Sequence, residues 1–472
     1  MNLTTPDVYL QDLVAGSTNM GLEDSTVGIM IGTARSGVVG VPQLVNSWSE
    51  YIEKYAFGLD TPFMKDSDLS YAVYGFFNNG GRQLYILRVA SATAKKATAT
   101  VCGGLVITAM YEGVAGNDIS FALAKDEDES YTATLKLGTE TVTVSDLEAD
   151  NILSKLNGSR MSNIAKFEKG EGAIVLTGVE ATKLTGGADD IANVKATTLV
   201  SSLELCDSVV SEASFLAVPG YTDTALDTAI LNYCDKNMVC PFLDMPVGSD
   251  LATVKSYRKS ISAYGGALAY PWGYVNDPLT NETRLVPACG HLMGVYARTL
   301  AERGIHKAPA GTEAVVRGFV SLEKNLTSSE IGILNNVGVI CITTRSNVGV
   351  VVWGARSLNP DSTMKYTTDV ILNYFIKKSV YNGTQFAIFE PNSDILWSKV
   401  EAACKALLED LRLKGSLQGT QAEAYYVKCD NSNNTNASIA EGILNIEVGY
   451  APVKPAEFVI IKIAHSMDNL SE

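Results

Sequence analysis

The sequence predicts a multidomain protein of mixed α/β and α+β class: an α/β core, a β-rich domain inserted into it, and a C-terminal α/β domain. Three observations carry this. Buried-type strands alternate with helical stretches from residue 25 to 95 and again from 191, the order that builds parallel sheets. Between them the texture changes to threonine–valine alternation with period two, the mark of half-buried antiparallel strands. At 472 residues the chain also exceeds the ~250–300 residues at which a single core stops growing. The expected divisions are an arm over 1–24, a discontinuous α/β domain over 25–95 and 191–340, the insert over 96–190, a C-terminal domain over 341–455, and a terminal strand with its tail over 456–472.

Taken in order, Thr5-Pro6-Asp7-Val8-Tyr9-Leu10 makes one short extended piece before turn-forming Gly16, Ser17, Asn19 and Gly21. Residues 27–33 read as a buried strand, 69–77 as a helix stopped by Asn78-Asn79-Gly80-Gly81, and 84–89 as the next strand. In the insert, 131–135 and 141–144 alternate cleanly, and the acidic run Asp126-Glu127-Asp128-Glu129 fits a solvated hairpin tip. The α/β pattern resumes with a strand over 215–220, a helix over 224–236, a strand over 239–244, and helices over 254–264 and 290–303. Further strands are expected over 348–353 and 386–389, with a helix over 368–380. The strongest helical pattern spans 394–414, with Trp397, Val400, Cys404, Leu407, Leu408 and Leu411 on one stripe, Asn392 or Ser393 to cap it and Gly415 to stop it. Strands over 425–429, 444–450 and 457–463 complete the chain.

Composition excludes several classes of function. A formal net charge of −15 opposes nucleic-acid binding, which needs a basic face to neutralise phosphates. No stretch approaches the ~20 uninterrupted apolar residues of a membrane helix, and the start MNLTTPDVYLQDL lacks the pattern of a secretion signal. Eight cysteines without CxxC spacing read as reduced core thiols. Phosphate-loop, nucleophile-elbow, HExxH and GxGxxG motifs are all missing. The three histidines, His291, His306 and His465, stand far apart in sequence. No catalytic residue, cofactor or metal site is therefore expected.

The segment Glu457–Ile463 poses a different question. Phe458, Val459, Ile460, Ile461 and Ile463 are apolar on both faces of any strand they form, and such a strand needs a partner to cover it. Several ordered stretches of the chain resemble contractile tail sheath proteins, the subunits that wrap the tube of contractile phage tails, R-type bacteriocins and related injection systems. Thr5-Pro6-Asp7-Val8-Tyr9 is similar to that family's Pro-Gly-Val-Tyr opening, with Asp7 in place of glycine. The run from Ala72 to Arg82 followed by Tyr85-Ile86-Leu87-Arg88-Val89, then Lys307-Ala308-Pro309-Ala310-Gly311, Val352 to Leu358, Phe389-Glu390-Pro391-Asn392, Leu396-Trp397, Gln418-Gly419, Tyr426 to Asp430 and Val448 to Val459 resemble further family motifs in sequence order.

The resemblance implies that the terminal strands reach into neighbouring subunits and complete their C-terminal sheets, with Val8, Tyr9 and Leu10 in one and Phe458, Val459, Ile460, Ile461 and Ile463 in the other. Both are extended, hydrophobic and without a nearby partner in the chain, as strand addition requires. It also implies a homo-oligomer built as a helical stack of rings, hexameric in the family, with an inner tube protein, baseplate and tail terminator proteins as partners, and no direct membrane insertion. Assembly would occur in the bacterial cytoplasm and end in a virion tail or a released bacteriocin particle. The polar face of the 394–414 helix, with Lys405, Arg412 and Lys414, is the candidate tube contact. A non-contractile, strand-exchanged shell or adhesin protein and an unrecognised α/β enzyme stand as alternatives.

Overall fold

The computed structural model describes residues 26–261 and 264–460. The chain divides into two bodies, a larger one formed by Asp24–Tyr374 with the segment from Lys454 onward, and a smaller one built on Phe375–Val453. The larger body is organised by an eight-stranded sheet. Its spatial order is Gly349–Val352, Val339–Arg345, Ala267–Tyr270, Cys240–Asp244, Phe215–Ala217, Val27–Gly32, Gln83–Arg88 and Gln43–Val45. The six inner strands run parallel and only the two edge strands are antiparallel. Val27–Gly32 pairs on one side with Gln83–Arg88 and on the other with Phe215–Ala217, so the chain leaves the sheet after Arg88 and returns to its neighbour.

The inner strands are apolar throughout because both faces are covered. Ile29 and Ile31 join Leu199, Leu226, Ile230, Val254 and Leu334 in one core, on the side of the helices Ala196–Leu203, Thr224–Asn237, Leu251–Ser260 and Ser328–Asn336. On the other side, Gly28 lies against Met293 of the helix Cys289–Arg303, which packs closely on the helix Leu69–Asn78. The approach of these two helices depends on glycine: a Cβ on Gly290 would lie 2.5 Å from the Ala72 carbonyl, and one on Gly294 2.5 Å from that of Phe76. Arg88 is buried at the sheet end and donates to the carbonyls of Ala34, Gly37 and Glu112 at 2.9, 2.6 and 2.7 Å.

Residues 97–184 hold a second core, with Phe121, Leu135, Ile152 and Phe167 at its centre. Ile119–Lys125 pairs with Tyr131–Leu137, and the latter with Glu140–Leu147, so the acidic run 126–129 occupies the hairpin tip that its charge suggests. The glycines after the first long helix end it as expected: Gly80 takes φ +100 and the Gly81 N–H returns to the Phe76 carbonyl at 3.0 Å. All eight cysteines are buried, and none forms a disulfide.

In the smaller body, the helix Asp394–Leu413 buries Leu396, Trp397, Val400, Cys404, Leu407, Leu408 and Leu411, the stripe expected from the sequence. Ser393 stands at its N-cap without a side-chain bond there; Asn392 instead accepts from Trp397 Nε1 at 2.6 Å. Three expectations need correction. Residues 386–389 form no strand: Gln385–Ala387 is a single 3-10 turn, and Phe389 has φ +66, a left-handed backbone that breaks an extended run. The helix expected over 254–264 is Leu251–Ser260, set one turn earlier by Asp250, which accepts from the Thr253 N–H at 2.8 Å. The strand expected over 444–450 is confined to Glu447–Tyr450.

Asp227 gives the larger body a pH dependence. It lies buried in the first turn of its helix and accepts from Tyr257 Oη at 2.7 Å. Burial pushes its carboxyl up to about 8, with Asp244 and Asp223 adding to the effect against the Tyr257 bond. The fold thus keeps a proton that the unfolded chain releases near pH 4, and this contribution to stability fades as pH rises towards 8. Asp227→Asn should lose roughly 2 kcal/mol less stability than the parent between pH 6 and 9, read from urea midpoints at both values; equal losses would refute the assignment.

Candidate functional site

The segment after Val453 is fastened to the larger body at two points. Lys454 Nζ donates to Asp369 Oδ2 at 2.7 Å and to the Thr363 carbonyl at 3.0 Å. Asp369 is buried, and it also accepts from the Tyr366 N–H at 3.1 Å at the start of the helix Thr367–Gly383. Three residues on, Glu457 meets Arg356 in a two-pronged ion pair, Nε to Oε1 and Nη2 to Oε2, each at 2.8 Å. Tyr366 Oη donates to the same carboxylate at 3.1 Å, Asn335 Nδ2 donates to it as well, and Lys365 Nζ lies 3.6 Å away.

Local structure explains why these groups meet. Arg356 and Tyr366 face each other across an antiparallel bridge, which sets the guanidinium and the phenol side by side. Asn335 comes from the end of the helix Ser328–Asn336. Burial alone would push the Glu457 carboxyl up; the donations from Arg356, Asn335 and Tyr366 overcome this and hold it below the usual carboxylate range. The anchor is therefore fully charged at neutral pH, and its contribution is lost only as acid carries the pH down through that lowered value. Planar, doubly bonded Arg–carboxylate pairs fix direction as well as position.

Immediately beyond the anchor the chain turns outward in character. Phe458, Val459 and Ile460 are 74, 81 and 81% exposed, and no strand is assigned to them. Three consecutive large apolar side chains in the open follow directly on a rigid root. Val8, Tyr9, Leu10, Ile461 and Ile463, the other expected strand residues, lie outside the described residues.

The smaller body carries the second feature, a two-stranded antiparallel sheet of Tyr425–Lys428 and Glu447–Tyr450 in register Tyr425↔Tyr450 to Lys428↔Glu447. Among the described residues it has no third strand. The helix Asp394–Leu413 packs on one face of it, and Tyr426 stands exposed, its Oη on Glu447 at 2.8 Å. A two-stranded sheet is marginal by itself. Lys405, Arg412 and Lys414 do sit on the polar side of that helix, each paired with a carboxylate of its own helix: Glu401 at 2.7 Å, Glu409 at 2.6 Å and Asp410 at 2.8 Å. Exposed Ile395 and Leu413 flank them.

Arg356 and Glu457 were visible in sequence only as members of two separate motifs; 101 positions apart, nothing in spacing links them. Glu457→Gln should lower stability by about 1–3 kcal/mol, read from urea midpoints, with Arg356→Gln adding little on top of it; fully additive losses would show that the segment is held elsewhere.

Residues 189–358 match the phage tail sheath protein central domain and residues 359–465 the phage tail sheath C-terminal domain. A prophage major tail sheath protein of Pseudomonas aeruginosa is 24% identical over 308 residues, 62% of this chain and 77% of that protein. Among solved structures, the helical sheath of the anti-feeding prophage in its contracted state superposes with a TM-score of 0.62 at 22% identity, covering 98% of this chain and 100% of that one. A sheath tail protein of Listeria innocua gives 0.66 at 13% identity over 88% and 93%. The two adjoining family matches run unbroken over more than half of the sequence: the chain belongs to the phage tail sheath family.

Proposed function

We propose that this chain is the structural subunit of a contractile sheath, without catalysis of its own. Copies polymerise around an inner tube in an extended, metastable lattice, as a helical stack of rings, and a baseplate signal releases them into a shorter, wider one that drives the tube through a target envelope. The free energy comes from a switch between two packings of near-rigid subunits, so no nucleotide is required. Assembly takes place in the bacterial cytoplasm, and the particle is a phage tail or a bacteriocin-like injector. Among the described residues no helix is long and apolar enough to cross a membrane and no cluster of metal ligands occurs.

One observation carries this reading: an apolar, exposed Phe458-Val459-Ile460 segment issues from an anchored Glu457, in a family chain whose second sheet has only two strands among the described residues. The segment is the donated strand and the sheet of a neighbouring copy its acceptor; the Val8–Leu10 arm is donated likewise. Burying the five large apolar side chains of 458–463 contributes roughly 8–15 kcal/mol. Ordering about eight residues costs roughly 8–16 kcal/mol. One strand is near balance, so assembly depends on several contacts made to neighbours already in place. The 96–190 insert, with its own core, forms the outer surface, and the polar side of the 394–414 helix faces the tube.

Two measurements test this. Electron microscopy of the full chain should show hollow tubes, which Phe458→Asp with Ile460→Asp abolishes while circular dichroism stays unchanged; tubes from the double variant would refute the donated strand. Arg412→Glu with Lys414→Glu should weaken co-assembly with tube protein at least several-fold and shift its salt dependence; unchanged co-assembly across salt would rule out that helix as the tube contact.

A further inference from the structure

The described chain begins at Thr26, which is buried, one residue before the strand Val27–Gly32. Val27 lies opposite Gln83 in a parallel register, so Thr26 stands beside Arg82, and the segment over 1–24 joins the larger body at that corner. The corner is basic. Arg82 follows the Gly80-Gly81 turn that ends the helix Leu69–Asn78, and a Cβ on Gly80 would lie 2.9 Å from that of Arg298 on the neighbouring helix Cys289–Arg303. Asn79, fully buried, ties a third arginine to them. Its carbonyl accepts from Arg298 Nη1 at 3.0 Å, its Oδ1 accepts from the Arg317 N–H at 2.7 Å, and its Nδ2 donates to the Arg317 carbonyl at 3.0 Å. Arginines from two helix ends and a loop thus meet around one asparagine.

Their charge is not balanced. Arg298 is buried and spends its terminal nitrogens on the carbonyls of Asn79 and Val315, the latter at 2.7 Å. Burial and the nearby Arg317 guanidinium both lower its pKa, against Glu302. Arg82 and Arg317 are exposed, and among the described residues none of the three forms an ion pair. Farther along, Arg303 and Lys307 share Glu313 at 2.6 and 3.6 Å, and with Glu302 these four sum to zero. The two helix C-termini supply roughly half a negative charge each. About two of the three positive charges therefore stay uncompensated, on a chain whose formal net charge is −15. Like charges held together repel, and the repulsion is relieved when an acidic group joins them.

We infer that the acidic root of the N-terminal arm, Glu23-Asp24, seats on Arg82, Arg298 and Arg317. Its two negative charges answer the uncompensated positive ones. Position favours it over other carboxylates. Asp24 is two residues from Thr26, about 7 Å along an extended chain, and a group joined covalently to the place where the cluster stands competes at high effective concentration. The face agrees as well. A Cβ on Gly28 would lie 2.9 Å from both Leu84 Cδ1 and Met293 Cε, and period-two alternation carries that face back to Asp24 on one strand and to Arg82 on the other. The contact lies within one subunit and rests on the sheath reading only in treating 1–24 as an arm. It gives that arm a fixed root, as the Arg356–Glu457 pair does for the other terminal segment.

The test is digestion of the full chain by a glutamate-specific endoprotease, at a dilution where it sediments as a monomer. Cleavage of the peptide bond after Glu23 is followed by mass spectrometry, each rate being taken relative to a free peptide of matching sequence over 15–30. In the parent chain this bond should be cut at least tenfold more slowly than in the peptide. Raising sodium chloride to about 0.5 M, which screens exposed charges over a few ångströms, should narrow the difference at least threefold. Arg82→Glu with Arg317→Glu should speed cleavage at least fivefold in low salt, and adding Asp24→Arg should restore most of the protection. Both arginines are exposed, and the salt series on the parent needs no variant. Cleavage of the parent as fast as the peptide, or slow cleavage indifferent to both salt and charge reversal, would overturn the seat. Tube formation is read separately, so failure here leaves the donated strand standing, and failure there leaves this contact.

Discussion

A strand must pair its backbone N–H and C=O groups, and in this chain that rule is satisfied unevenly. The eight-stranded sheet meets it completely in its interior, where parallel neighbours flank each inner strand and helices cover both faces. Phe458-Val459-Ile460 belongs to no strand, and the pair Tyr425–Lys428 with Glu447–Tyr450 has no third strand, among the described residues. Native proteins ordinarily blunt such edges with charge, proline or a covering element. Here the exposed run is preceded by an ion pair that fixes its root, which is the opposite of blunting. An anchored, exposed apolar segment is what the proposed strand exchange would use.

Rigidity upstream gives that strand its mechanical meaning. Arg356 is held across a bridge to Tyr366, and the strand Gly349–Val352 just before it belongs to the main sheet. Load on the segment would pass through Glu457 to Arg356 and Lys454 to Asp369, and from there into a sheet whose helices touch at Gly290 and Gly294 with no room to slide. Close-packed cores do not deform continuously. The larger body is thus built to transmit load without deforming.

How much of this was legible in sequence depends on the range of the interaction that fixes each element. The helix Asp394–Leu413 and its buried stripe follow from a 3.6-residue period that is local, and the acidic hairpin tip follows from charge and alternation. The short helix Trp48–Tyr55 and the strand Val339–Arg345 gave less: the first is capped by Ser47 but only two turns long, and the second is a run of Val, Ile, Cys and Thr whose place is set by Leu268 and Val352 on either side. Residues 386–389 look apolar enough for a strand, yet they hold a 3-10 turn and a left-handed Phe389. Within the candidate site, the apolar terminal segment was readable from composition, whereas the Arg356–Glu457 anchor was not, because nothing local to either residue reveals a partner so distant in the chain.

Charge decides which forces can drive self-association. At a formal net charge of −15, copies repel one another at distances up to about a Debye length, ~8 Å in physiological salt. The exposed cations of the Asp394–Leu413 helix do little to offset this, since Lys405, Arg412 and Lys414 are each neutralised by a carboxylate within one turn. Attraction between copies must then come from contacts that act only at touching distance, which are apolar burial and backbone pairing. On the proposed reading, Phe458-Val459-Ile460 supplies both. Repulsion at long range with strand addition at short range favours joining where a template already holds the neighbour in position, and disfavours random aggregation of an otherwise sticky segment.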